Sequence, residues 1–284
     1  TGASNVAVGQ NALGANTTGI QNTAVGESAL AATTTGGYNT AMGREALKYN
    51  TTGQFNVAMG RTSLTSNTTG AYNVAMGYAA LNAATTASNN TAVGTGALSA
   101  NIAASDNVAV GFEALNTETG GQNNVAVGPR ALKAQVNSSG NIYNTAVGSS
   151  AGTNITTGFQ NVLIGALAGD ALTDADYNVV LGTGALGSDT LGSRAVAIGQ
   201  GALGDQNFTS ATDNYNTAVG YAAGLTVTTG IHNTLIGAFA GDAITTGTGN
   251  ICIGTGADTA TSGRVYSITM GRDVTSVGDY YFTF

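Results

Sequence analysis

A five-residue motif, Asn-(Val/Thr)-Ala-(Val/Met)-Gly, recurs along this chain every 17 residues, and a repeat that short leaves few folds open. It begins at Asn5, Asn22, Asn39, Asn56, Asn73, Asn90, Asn107 and Asn124. It returns, mostly with larger apolar residues, at Asn144, Asn161, Asn178, Asn216, Asn233 and Asn250, and degenerate copies start at Ala195 and Ser267. The closing glycines run from Gly9 to Gly271 and define 16 units. Only two steps depart from the period: 20 residues from Gly128 to Gly148 and 21 from Gly199 to Gly220. Asn144–Gly199 resembles Asn216–Gly271 at an offset of 72, as in NVLIGALAGDAL against NTLIGAFAGDAI. A duplicated four-unit cassette follows. The chain reads as a regular repeat over 1–128, a cassette with a three-residue insertion over 129–199, its duplicate with a four-residue insertion over 200–271, and a C-terminal junction over 272–284. The period runs across each division, so none is a linker.

Each unit reads roughly N-V-A-V-G-x-x-A-L-x-x-N-T-T-G-x-x. The glycine after the pentad and the Thr-Thr-Gly before the next Asn are turn punctuation. Seventeen residues hold a short strand and its turns but no helix with its return. The expected fold class is therefore all-β, a parallel β-solenoid (β-roll or β-helix) of 17-residue coils. Sixteen coils about 4.8 Å apart predict a rod of roughly 75 Å.

Stacking equivalent positions turns the sequence into columns. In each strand the residue before the closing glycine is large and apolar (Val8, Val25, Met42, Met59, Met76), and Val, Thr or Ile stands two places earlier. These two share a face. Ala7, Ala24, Ala41 and Ala58 lie between them, on the other. A half-exposed strand carries polar residues outward, yet here the column taken as outer is Ala, with Leu163, Val180, Leu235 and Cys252 in the cassettes. That pattern predicts a second apolar face covered by sister chains, most simply in a homotrimer. The alternative is that alanine, being small, tolerates exposure. The Asn column (Asn22, Asn39, Asn56, Asn73, Asn90, Asn107, Asn124) predicts a structural amide ladder at a buried turn, with left-handed backbone angles tolerated there.

These repeats resemble the repeat shafts of phage tail fibres, especially those of marine phages, and are similar to the head repeats of trimeric autotransporter adhesins, which carry an Asn-Ser-Val-Ala-Ile-Gly core. The resemblance spans Asn5 to about Gly271. It implies a trimeric parallel β-roll or β-helix that attaches a virion tail fibre, or alternatively a bacterial outer surface, to a cell. The implied partners are sister chains, other fibre or baseplate proteins, and a host surface glycan or protein. Ser262–Phe284 looks like the junction that precedes a self-cleaving C-terminal chaperone domain in such fibres. Thr1-Gly2-Ala3-Ser4 occupies the register of Thr18-Gly19-Ile20-Gln21, so the sequence starts in mid-repeat and a preceding portion, or a cap from another protein, is expected.

Chemistry is sparse. Eight Lys and Arg in 284 residues, with a net charge of −7, cannot form a phosphate-tracking stripe, so nucleic acid is excluded. Charged residues are only 8% of the chain, but 42% hydrophobic content is too high for a disordered linker. No apolar run is long enough for membrane insertion. The single cysteine, Cys252, and single histidine, His232, leave no multi-Cys or His-rich metal site, and no cofactor is expected. Cys252 reads as an inert small core residue and His232 as a surface side chain. The acidic residues are scattered, and no catalytic residue is expected; a depolymerase would have to use the neighbouring Asp174 and Asp176. Asp170 and Asp242 are cassette equivalents, which favours a turn role. The receptor-binding candidates are the aromatic residues that precede the Asn column: Tyr38, Phe55, Tyr72, Tyr143, Tyr177 and Tyr215. Such rings can grip sugars, or they can shield the coil edge and pack between chains. The insertions around Gln135–Tyr143 and Asp205–Tyr215 are expected to bulge as loops that can carry recognition. An ice-binding reading rests on Thr17/Thr18, Thr34/Thr35, Thr51/Thr52, Thr68/Thr69 and Thr85/Thr86, an array that breaks at Ile102-Ala103.

Overall fold

The computed structural model describes residues 2–284, and the register assigned to Thr1 lies outside them. Among the described residues the fold is all-β, a parallel β-solenoid of about sixteen 17-residue coils. Its contacts divide the chain into two compact units, 1–143 and 144–284. The three-residue insertion thus belongs to the end of the first unit.

The first unit stacks eight three-residue strands: β1 (Val6–Val8), β2 (Thr23–Val25), β3 (Thr40–Met42), β4 (Val57–Met59), β5 (Val74–Met76), β6 (Thr91–Val93), β7 (Val108–Val110) and β8 (Val125–Val127). Neighbours pair parallel and in register, as Val57↔Val74 and Ala58↔Ala75. The second unit holds β9 (Thr145–Val147), β10 (Val162–Ile164), β11 (Val179–Leu181), β12 (Gly192–Ser193), β13 (Val196–Ile198), β14 (Thr212–Asp213), β15 (Thr217–Val219), β16 (Thr234–Ile236), β17 (Ile251–Ile253), β18 (Asp258–Thr259), β19 (Ile268–Met270), β20 (Thr275–Ser276) and β21 (Phe282–Thr283). Its main sheet again pairs parallel from β9 to β19, while β12–β14 and β18–β20 add two-stranded ladders.

The two faces of the strand lie opposite to the sequence expectation. The central alanines point into the coil: Ala24, Ala41, Ala58, Ala75, Ala92, Ala109 and Ala126 are fully buried within one chain, as are Leu163, Val180, Leu235 and Cys252 in the second unit. The flanking Val/Thr and Val/Met columns form the outer surface, where Met42 and Leu181 are 41% and 46% exposed. Each coil completes its core with a leucine from the turn after the closing glycine, Leu30 through Leu132 in the first unit. At roughly 1.5–3 kcal/mol for burying one such side chain, this column is the main apolar source of stability.

The corners explain the glycines. Those closing the strands have φ between 127° and 147°, and a Cβ there would meet the carbonyl oxygen of the glycine one coil on, at 2.5 Å for Gly26 against Gly43. Three further left-handed residues follow in each regular coil, as Ser28, Leu30 and Tyr38 at φ 59°, 50° and 62°. The left-handed residue is the one before each Asn, and the ladder asparagines themselves are not left-handed.

Candidate functional site

The Asn ladder is the best-ordered polar feature. Asn22 Oδ1 accepts the Asn39 amide N–H at 3.0 Å, and Asn39 Oδ1 accepts that of Asn56 at 3.0 Å. Meanwhile Asn39 Nδ2 donates to Gly53 O at 2.9 Å and Asn56 Nδ2 to Gly70 O at 2.9 Å. Each amide thus closes its own coil and starts the next. Asn22, Asn39, Asn56, Asn73, Asn90, Asn107 and Asn124 are all fully buried. Removing one leaves buried groups unpaired. In the second unit Ala195 interrupts the ladder, and the insertion that follows repairs it: Asn214 Oδ1 accepts the Asn216 amide at 2.9 Å, and Gln206 Oε1 accepts Asn216 Nδ2 at 2.8 Å.

The aromatic candidates stand where the column places them. Tyr38 stacks on Phe55 with centroids 4.7 Å apart and planes 8° from parallel, and Phe55 on Tyr72 at 5.0 Å and 4°. Their faces are turned to one another, so the ladder shows solvent mainly ring edges. Those edges border a shallow groove lined by Thr52, Gln54, Phe55, Thr69, Ala71 and Tyr72. In the second unit Arg194 joins the column. Its guanidinium lies 4.5 Å from the Tyr177 centroid and 5.9 Å from that of Tyr215, while Asp213 pairs with its Nε at 3.0 Å. Tyr215 then stacks on His232 at 5.3 Å. Tyr143 occupies the same column at the end of the first insertion and is 50% exposed. The column assignment missed Arg194, although its position before Ala195 was readable from the period.

The acidic candidates make inter-coil bonds. Asp174 Oδ1 accepts the Thr157 hydroxyl at 2.6 Å, and Asp176 Oδ1 accepts the Phe159 amide at 2.9 Å. Asp176 therefore does what Ser88 and Ser105 do in the same column, where each Oγ receives the amide one coil back. Burial pushes the Asp176 carboxyl above its ordinary range. Asp258 is pushed up to about 7, first by burial and then by its hydrogen bond with Asp242. Burial likewise pushes the Cys252 thiol up to about 12, which suppresses the reactive thiolate. In the threonine array, the hydroxyls of Thr17, Thr34, Thr51, Thr68 and Thr85 donate to backbone carbonyls of the next coil, which leaves the second threonine of each pair facing outward.

Two buried carboxylates, Glu118 and Asp189, were not singled out by the sequence. Both lie in a turn column that elsewhere holds Asn, Thr, Ala or an aliphatic residue, and both precede a Gln by 17 residues (Gln135, Gln206) in the coil that carries an insertion. That pairing was the available signal. Burial pushes the Asp189 carboxyl up, against hydrogen bonds from the Phe208 amide, Gln206 and the Gly192 amide.

No helix among the described residues is long and apolar enough to cross a membrane. Comparison of the chain with protein-family models, curated proteins and solved structures finds no match.

Proposed function

We propose that this chain is a structural, adhesive fibre segment that assembles as a homotrimer and attaches a particle to a cell surface, most simply as part of a phage tail fibre. The observation that carries the reading is the outer strand face. Its two columns, Val/Thr/Ile and Val/Met/Ile/Leu, hold no charged residue in any of the 16 units, and much of this apolar surface is exposed on the single chain. Exposed apolar surface of that regularity marks an interaction site. A second copy fits it best, because its strand spacing and uncharged columns match by construction. Self-association would then provide the cover that was assigned to the alanine face. Trimerisation gives three copies of every weak surface site, and hence avidity. The insertions and the aromatic column supply those sites. The experiment is Val57→Lys with Val125→Lys, which puts charge into the face without touching the coil interior. The expected result is a folded single chain that no longer attaches to host cells; an unchanged assembly would contradict the reading.

The resemblance to trimeric autotransporter heads supports a second version, with the same geometry on a bacterial outer surface. Detection of the native protein on purified virions or on cell envelopes separates the two.

A further inference from the structure

The two insertions break the period in different places and share no sequence, yet the same device holds both. Glu118 is fully buried. Its Oε1 accepts the amides of Gly120, Gly121 and Asn137 at 2.9, 2.7 and 3.2 Å, and its Oε2 accepts Gln135 Nε2 at 2.7 Å. Asp189 is also fully buried. Its Oδ1 accepts the amides of Gly192 and Phe208 at 3.1 and 3.0 Å, and its Oδ2 accepts Gln206 Nε2 at 2.7 Å. In each case a carboxylate binds the glycine amide three residues on, a Gln one coil on, and the backbone amide two residues past that Gln, which is inside the insertion. In each case too an apolar residue of the insertion packs over that glycine: a Cβ on Gly121 would meet Ile142 Cγ1 at 2.8 Å, and one on Gly192 would meet Phe208 Cδ2 at 2.8 Å. Neither carboxylate takes part in an ion pair among the described residues.

An ordinary coil has the opposite polarity here. Asn50 and Asn67 donate Nδ2 to the carbonyl of the glycine three residues on, at 3.1 and 3.0 Å. A residue that only accepts is needed where several backbone amides converge, and a carboxylate is the side chain that accepts at both atoms. Four coils of the second unit do without any polar group in this column, using Ile155, Leu172, Val227 and Ile244. Filling the core therefore does not require the acid.

We infer that Glu118 and Asp189 are positioning residues, anionic latches that fix the two insertion loops in one conformation and so preorganise them as recognition elements. The recognition part rests on the adhesive reading above. Preorganisation raises affinity by removing ordering cost at binding, and a loop anchored on a rigid coil is the usual place for a recognition site.

The test is amide hydrogen exchange of the intact chain, comparing loop amides (Asn137, Phe208) with ladder amides (Asn56, Asn233), in Glu118→Gln, Asp189→Asn and the double variant Asp189→Leu/Gln206→Leu. The double variant copies the aliphatic filling of neighbouring coils, so it keeps the coil folded while removing the latch. The expected result is at least ten-fold faster exchange at Asn137 in the first variant and at Phe208 in the other two, with ladder amides within two-fold of wild type. Unchanged loop exchange in all three variants, or equal loosening of loop and ladder, would overturn the latch. A parallel cell-attachment assay separates the two layers. Weakened attachment with intact trimers supports recognition by the loops, and full attachment with freed loops overturns that part alone.

Discussion

The two units build the same coil with different cores. In the first, a small strand residue (Ala58, Ala75) faces a leucine from the turn (Leu64, Leu81), and the inner turn column is mostly polar or small. In four coils of the second the leucine position is glycine (Gly152, Gly169, Gly224, Gly241) and the bulk has moved to Ile155, Leu172, Val227 and Ile244; in two of them it also appears in the strand, as Leu163 and Leu235. A Cβ at Gly169 would lie 2.8 Å from Leu172 Cδ1, and one at Gly241 2.5 Å from Leu235 Cδ2. The coil thus conserves interior volume rather than residue identity at each place, as close-packed interiors require. The repeat is free to drift in sequence while its rungs stay in register.

The largest expected effect comes from breaking that exchange. Leu81→Gly should cost about 4 kcal/mol, since Leu81 is fully buried. Adding Ala84→Leu should recover at least half of the loss, because the pair then copies Gly169 and Leu172. Chemical denaturation of the two single variants and the double one measures the coupling, and additive losses would refute volume conservation.

The ladders differ next. Asn56→Ala should destabilise by about 2–3 kcal/mol, leaving the buried Gly70 carbonyl and the Asn39 and Asn73 amide groups short of partners. Ala195→Asn should change stability by less than about 0.5 kcal/mol, because Asn214 and Gln206 already fill the gap. Thermal unfolding of both variants makes that comparison.

A smaller contrast is electrostatic and confined to the second unit. The Asp258 carboxyl titrates near 7 in the folded chain, above its ordinary value. A raised carboxyl pKa means that the folded state holds the proton more tightly. Its stabilising contribution is therefore complete in acid and is lost as pH rises through about 7. After allowance for solvent screening at this partly exposed site, the second unit should lose about 1–2 kcal/mol between pH 4 and 8. Asp258→Asn should flatten the dependence, as followed by exchange of the amides of β17 and β19.

The smallest effect has the opposite sign. Thr62 is β-branched and left-handed at φ 55°, in a column where Gly96, Gly184, Gly201 and Gly256 occur naturally. Thr62→Gly should stabilise by roughly 1 kcal/mol through relief of backbone strain, measured as a raised melting midpoint.

Much of this fold could be read from periodicity alone. Spacing reveals which residues stack, so the coil, the Asn ladder, the aromatic column and both insertions were accessible. It does not say which side of a strand faces inward when both sides are apolar; Ala58 and Met59 reversed the expectation because a 17-residue coil has room inside for little more than alanine opposite Leu64. Nor could it find the left-handed leucines and tyrosines, whose side chains carry no propensity for that conformation. The latches at Glu118 and Asp189 needed contacts between coils, which single columns do not display. Of the candidate site, the positions of Tyr38, Phe55 and Tyr72 were readable, but their face-to-face stacking was not.

The account turns on the uncharged outer face of the strands being an interface between copies. Sedimentation equilibrium of the wild-type chain measures that directly. The expected mass is three times the 27.9 kDa of one chain, persisting on dilution; a species of 27.9 kDa that stays soluble with its valine and methionine columns in water would contradict it.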